Sequence, residues 1–246
     1  MKNVVKSALQ KMLGFQRYLN LFAWYKVKTL RRDRKENDFF AFLQELPEDG
    51  IVLDIGANIG IMTVHLSCRV HKGTVIAFEP MPDNLRTLHH VIERFDLRNV
   101  RVQACALGNH EGKVEMVMPV ESGAKQQGLS HVLHESITER NEGLRFSVPL
   151  KTLDSFDFAK HDLPRVTGIK MDVENFEAFV LEGGKRLLAR HRPLLYVELW
   201  DNENRQRCFD IVRELGYGVF VREHNQLVPF EAKKHSHQNF IFRMNG

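Results

Sequence analysis

The sequence predicts an α/β protein whose core is a mostly parallel, Rossmann-like sheet. Three observations carry that prediction. Ile51-Val52-Leu53-Asp54-Ile55 is a short, β-branched apolar run that passes straight into Gly56-Ala57-Asn58-Ile59-Gly60 and then into a helical pattern. This is the form of a strand buried on both faces and followed by a tight turn. A second run, Thr74-Val75-Ile76-Ala77-Phe78, ends in Glu79-Pro80, and Glu79 lies 23 residues after Gly56. That offset is close to the roughly 20 residues at which an acid meets a ribose in dinucleotide-binding folds. Finally, short apolar runs alternate with helix-length amphipathic ones to the last strand, which implies right-handed crossovers between parallel strands.

The turn favours a particular kind of ligand. A nicotinamide site normally reads Gly-x-Gly-x-x-Gly, whereas here Asn58 takes the middle glycine's place and the last glycine comes one residue early. A pyrophosphate cradle is therefore poorly matched. A nucleoside without phosphates fits better, and S-adenosylmethionine is one. Glycine turns of this sort also occur in α/β proteins that bind nothing there; the acid at the second strand's tip is what favours a cofactor loop.

Taken in order, residues 1–46 read as a basic amphipathic helical extension and residues 47–246 as the Rossmann-like domain. The net charge of +4 conceals an asymmetry: residues 1–35 hold ten basic residues against the single acid Asp33, leaving the remainder at −5. An acidic body argues against nucleic acid, whose binding is dominated by phosphate neutralisation. In the extension Val5, Leu9, Met12, Phe15, Leu19 and Phe22 recur at helical spacing among lysines, with Trp24 and Tyr25 behind. Such a stripe suits peripheral contact with an anionic membrane through residues 1–35, and suits equally packing on the domain or on a second subunit of a homo-oligomer. Charges interrupt every window of about 20 residues, which argues against a transmembrane span. A cleaved signal peptide fits poorly, while a basic organelle-targeting peptide stays compatible. The three cysteines, Cys68, Cys105 and Cys208, are odd in number and lack a Cys-x-x-Cys, pointing to a reducing cytosol and away from zinc.

Asn37 to Leu46 reads as a helix and Pro47-Glu48-Asp49-Gly50 as the turn into the first strand. Ile61, Val64, Leu66 and Val70 mark a helix on the sheet; Pro82-Asp83-Asn84 starts the next. A third strand, Val100 to Ala104, leads to Ala106-Leu107-Gly108, where an adenine would rest. Gly112 to Pro119 and Phe146 to Leu150 read as strands around a polar insert, Glu121 to Gly143, too long to be an inert connection. Gly168 to Asp172 is the fourth core strand, with a kink expected later at Gly183-Gly184. Leu194 to Leu199, Tyr217 to Val221 and Asn239 to Arg243 are the fifth, sixth and last, with a helix from Cys208 to Leu215.

Ligands in open α/β sheets lie outside the carboxyl ends of the strands, which gathers Asp54, Gly56, Glu79, Asp172, Glu174 and Glu198 onto one rim. Crowded acids must be paired or protonated, and Lys170, two residues before Asp172, is the expected partner of Asp172. Methyl transfer to a hydroxyl needs a base; Asp172, Glu174 and His131 are the candidates, with Asp172 favoured and Lys170 and Glu198 in support. His235 and His237 do not suggest a metal.

The stretches Val52 to Gly60, Phe78-Glu79-Pro80, Ala106-Leu107-Gly108, Lys151-Thr152-Leu153-Asp154, Ile169 to Glu174 and Val197-Glu198 together resemble the FkbM family of methyltransferases, from about residue 50 to the last strand. The resemblance implies a class I S-adenosylmethionine-dependent fold, a seven-stranded sheet with an antiparallel last strand. It implies O-methylation of a sugar, glycan or natural-product hydroxyl. By that implication Asp54, Gly56, Asn58, Gly60 and Glu79 are cofactor contacts and Asp172 and Glu174 face the acceptor; Ala57, Pro80, Asn84 and Ala106, at the same turn and strand ends, are expected to join the cofactor contacts. Asn175 departs from the family, which usually has glycine there. Joined to the basic extension, the resemblance suggests work at the cytoplasmic membrane face on a lipid-linked saccharide. The competing readings are a non-catalytic membrane-associated scaffold that kept the fold, and a nicotinamide-dependent oxidoreductase.

Overall fold

A computed structural model describes residues 2–156, 158, 165–224 and 226–245. Its helices and strands follow one another as α1 (Lys2–Leu13), α2 (Phe15–Thr29), α3 (Asn37–Glu45), β1 (Ile51–Ile55), α4 (Ile61–Arg69), β2 (Thr74–Phe78), α5 (Pro82–Arg94), β3 (Val100–Gln103), β4 (Ala106–Leu107), β5 (Gly112–Glu121), β6 (Ala124–Lys125) and β7 (His131–Val132). They continue as β8 (Gly143–Lys151), β9 (Val166–Met171), α6 (Glu177–Glu182), α7 (Lys185–His191), β10 (Leu194–Glu198), α8 (Glu203–Glu214), β11 (Tyr217–Glu223), β12 (Gln226–Pro229) and β13 (Asn239–Met244).

The main sheet runs in the order β12-β11-β13-β10-β9-β1-β2-β3. β1, β2, β3, β9 and β10 are parallel, and β13 lies antiparallel between β10 and β11. The seven expected strands are present. An eighth, β12, extends the edge as an antiparallel hairpin with β11. All five residues of β1 are buried, as an apolar run covered by helices on both faces requires.

The strands expected at 112–119 and 146–150 form a second sheet, β4-β8-β5-β6, with β7 also pairing to β5. Ser122 and Gly123, both at positive φ, make the two-residue turn from β5 into β6, since a turn of that twist needs both central residues left-handed. The insert folds back on its own strand instead of hanging free: β7 returns to Met116 and Val117.

The amphipathic stripe of the N-terminal segment divides at Gly14, which has φ 76°. In α2, Leu19, Ala23 and Val27 are buried against Ile59, Val64, Val91 and Leu97 of the sheet-flanking layer. α3 adds Phe39, Phe42 and Leu43 to a cluster with Val52, Tyr196 and Ile241; burying a side chain of that size stabilises by roughly 1.5–3 kcal/mol. Both helices are thus layers of the main body. In α1, by contrast, Val5, Leu9 and Met12 face outward. No helix among the described residues is long and apolar enough to cross a membrane.

Candidate functional site

The carboxyl ends of β1, β2 and β9, together with β4, β5 and the insert, line a cleft with about 590 Å³ of free space, its mouth open to solvent included. One wall is the glycine turn. Gly56 crosses the end of β9 so closely that a Cβ there would lie 1.9 Å from the Asp172 carbonyl oxygen. Asn58, in the middle glycine's place, adopts φ 52°, a conformation that asparagine tolerates better than most residues. Glu79 sets the turn's shape. Its Oε2 accepts from the Asn58 N–H at 2.8 Å, and its Oε1 from the Met81 N–H at 2.8 Å and from Asn84 Nδ2 at 3.3 Å. Burial pushes this carboxyl up to about 7, although those donors pull the other way.

Three amide oxygens on the cleft lining, Asn58 Oδ1, Asn84 Oδ1 and Gln127 Oε1, are buried without a hydrogen-bond partner among the described residues. Buried acceptors are seldom left unpaired, so these are free for donors from a ligand. The lobe beside them is lined by Cys105, Ala106, Leu107, Met116 and Val132. Burial raises the Cys105 thiol to about 11, which keeps it a neutral wall group.

The other wall is Asp172, Val173 and Glu174. Glu174 and Asn175 are consecutively left-handed, at φ 54° and 73°, and Asn175 is fixed by the Asn202 amide donating to its Oδ1 at 2.7 Å. The turn needs no glycine at position 175 on these terms. Burial raises Asp172, an effect that Asp54 reinforces and Lys170 opposes. Glu174 is lifted to about 9 by burial and by Asp172, Glu198 and Glu177, so it is a neutral acid at neutral pH. Burial and Asp172 bring Glu198 to about 7.

Lys170 serves a different carboxylate from the one its spacing suggests. Parallel pairing of β1 and β9 sets Asp54 opposite Lys170, and the ammonium lies 3.3 Å from Asp54 Oδ1 while donating to the Gly56 carbonyl at 2.8 Å. Thr63 donates to the other oxygen of Asp54 at 2.6 Å. Burial would discharge Lys170, but Asp54, Asp172 and Glu198 together raise it and keep it cationic. Asp54 and Lys170 are positioning residues that tie β1, α4 and β9 behind the turn.

Of the residues named from sequence, Gly56, Asn58, Glu79, Pro80, Asn84, Ala106, Asp172 and Glu174 line the cleft. Asp54, Ala57, Gly60 and Lys170 stand behind it. Ala57 is buried on Ala77 and Leu88, and Gly60, at φ 83°, lets α4 start against Leu88 and Val91. Glu198 ends β10 beside the acid wall without lining the cleft. His131 opens onto a second cavity of about 260 Å³, shared with Ile137, Arg140, Glu174 and Trp200. Its ring nitrogens lie against the Leu129 carbonyl and Asn141 Oδ1, at 2.9 and 3.0 Å. Met81, Met116, Gln127, Gly128 and Phe176 also line the cleft, although no local pattern in the sequence marks them. The Ser-Gly pair at 122–123 was the available sign that the insert turns back toward β5. Among the described residues no group of three or more His, Cys, Asp or Glu is arranged to hold a metal ion.

Residues 54–233 match the methyltransferase FkbM domain family. Methyltransferase 1 of Beauveria bassiana is 28% identical over 150 residues, 56% of this chain and 59% of the relative. Methyltransferase sdnD of Sordaria araneosa is 25% identical over 162 residues, 57% of this chain and 62% of its own length. The chain thus spans about three-fifths of the length of these two curated relatives. The crystal structure of the methyltransferase FkbM from Methylobacillus flagellatus superimposes with a TM-score of 0.52 at 16% identity, covering 94% of this chain and 60% of that one. That likeness is one of fold.

Proposed function

Because the chain belongs to the FkbM methyltransferase domain family, we propose that it transfers the methyl group of S-adenosylmethionine to a hydroxyl of a sugar, glycan or related natural product. The observation that carries this reading is the cleft itself: a carboxylate-anchored glycine turn with unpaired acceptors on one wall, facing open carboxyls on the other. Gly56, Asn58, Glu79, Pro80, Asn84 and Ala106 would hold the cofactor, which supplies an electrophilic methyl group when bound. Glu79 at the tip of β2 suits ribose hydroxyls, and the apolar lobe at Ala106 and Met116 suits a flat base.

The remaining chemistry falls to the acid wall. A hydroxyl is a weak nucleophile until its proton is shared, and a base works best when its own pKa is brought toward the working pH. Asp172, raised by burial and without a hydrogen-bond donor among the described residues, is the group to take that proton. Glu174, neutral at pH 7, orients the acceptor by hydrogen bonding. It lines both cavities, so the smaller one beyond it, with the Trp200 ring and Arg140, is the acceptor's approach. Fixing both reactants in line supplies much of the rate.

The test is a transfer assay with radiolabelled S-adenosylmethionine against free sugars, sugar nucleotides and hydroxylated natural products, run beside calorimetry with S-adenosylhomocysteine. Saturable cofactor binding and labelled, alkali-stable product from a hydroxyl acceptor are expected. No heat with the cofactor product, or label only in amine or thiol acceptors, would reject the reading.

A further inference from the structure

Helix α1 is inside out. Asn3, Lys6, Ser7 and Gln10 recur at the spacing of one helix face, and this polar face is the one turned to the protein. Ser7 and Gln10 are buried. The Gln10 amide bonds both backbone groups of Lys125, Lys6 donates to Gln126 Oε1 at 2.7 Å, and Asn3 donates to Glu121 Oε2 at 3.0 Å. The opposite face carries Val4, Val5, Leu9 and Met12, with Met12 73% and Val4 63% exposed. Across Gly14, α2 continues with Leu21, Trp24 and Tyr25 exposed. Among the described residues nothing covers this face.

Charge selects what does. Exposed Lys11, Arg17, Lys28, Arg31 and Arg32 belong to the same stretch of chain, a segment of +9 attached to a body of −5. A second copy meeting the same face across a twofold axis would set that positive segment against itself, which like-charge repulsion opposes. An anionic lipid surface attracts it, accepts the apolar side chains below the headgroups, and suits Trp24 and Tyr25, residues at home at that boundary.

We propose that the outer face of α1, with the exposed edge of α2, docks on an anionic lipid surface while the polar underside of α1 holds the cleft wall. The strand it grips leads through Gln126 directly into Gln127 and Gly128 of the cleft. Docking would put α1 between the lipid and this part of the cleft wall, a position that serves a lipid-anchored acceptor if the methyl-transfer reading holds; the docking itself does not rest on that reading.

The experiment is co-sedimentation of the full chain with vesicles of phosphatidylcholine plus phosphatidylglycerol, and with phosphatidylcholine alone. Pelleting with the anionic vesicles only is expected, weakening as salt rises. A Val5→Asp/Met12→Asp variant, changed only at exposed positions, should bind roughly tenfold or more weakly at an unaltered melting temperature. With Trp200→Phe leaving Trp24 as the remaining tryptophan, fluorescence should shift to the blue and be quenched by brominated lipid. No pelleting with anionic vesicles at low salt overturns the proposal, as does undiminished pelleting of the double variant. A concentration-dependent dimer that the double variant abolishes overturns it too, by assigning the face to a second copy. None of these readouts uses S-adenosylmethionine, so their failure is distinct from a failed transfer assay.

Discussion

On the glycine-turn wall of the cleft both oxygens of Glu79 have protein donors, whereas across it Asp172 has none among the described residues and Glu174 is surrounded by other acids. The first wall has its loop geometry fixed by backbone N–H groups before any ligand arrives, while the amide oxygens of Asn58 and Asn84 stay open among the described residues. The second is left electrostatically unresolved: burial raises both carboxyls, reinforced by Asp54 at Asp172 and by neighbouring acids at Glu174. On the proposed reading, shape is settled where the cofactor would bind and proton affinity is raised where a proton would move.

The difference can be broken from either side. Replacing Asp172 by Asn should lower kcat by about 10²- to 10⁴-fold, the contribution of a positioned base, while calorimetry finds S-adenosylhomocysteine affinity changed only a few-fold. An equal loss of both would mean that the acid wall also shapes the cofactor site. Behind the two walls, Lys170→Met should destabilise the fold by about 3–5 kcal/mol, since it strands Asp54 as a buried unpaired charge; chemical denaturation measures it. Glu79→Ala should weaken cofactor binding by roughly 100-fold, because charge-assisted bonds of about 1.5–3 kcal/mol each leave the turn, yet turnover at saturating cofactor should recover most of its wild-type value.

Titration sharpens the same contrast. Glu79, Glu177 and Glu198 rise from an ordinary 4.5 to about 7, and Glu174 to about 9, each chiefly through burial. A carboxyl raised by folding favours the fold below its unfolded pKa, and that contribution is lost as pH rises through the folded pKa. The melting temperature of the ligand-free protein should therefore fall as pH climbs from about 4.5 through 7 and on to about 9. Glu174→Gln should flatten the part above about 7, since the other three carboxyls have already titrated there. Cofactor binding should strengthen as Glu79 ionises near 7. The smallest effect belongs to Asn175→Ala, expected to cost about 1–2 kcal/mol for a left-handed alanine, with Asn175→Gly restoring the stability.

The strands, the turn and the acid at the second tip were legible because their signals are local. A β-branched run, a glycine turn and an acid at a set distance need no knowledge of neighbours. Asp172 and Glu174 were likewise placed on the rim by the rule that parallel strands end together. Gln127, Gly128 and Met116 were not, because the insert reaches the cleft by a hairpin and a return strand whose pairing spans more than ten residues.

By itself the sequence determined the order of the strands, the glycine turn and the charge divide between the N-terminal segment and the body, all of which are written in residue type and short spacing. Only the tertiary structure decided that Lys170 pairs directly with Asp54 and acts on Asp172 without a direct ion pair, because register between β1 and β9 puts Lys170 and Asp54 side by side. It also decided that one apolar stripe would split at Gly14, α2 turning its half inward and α1 its half outward. A helical repeat defines a face, but which way that face points depends on what the rest of the chain sets against it: apolar side chains beneath α2, and backbone groups at an open strand edge beneath α1.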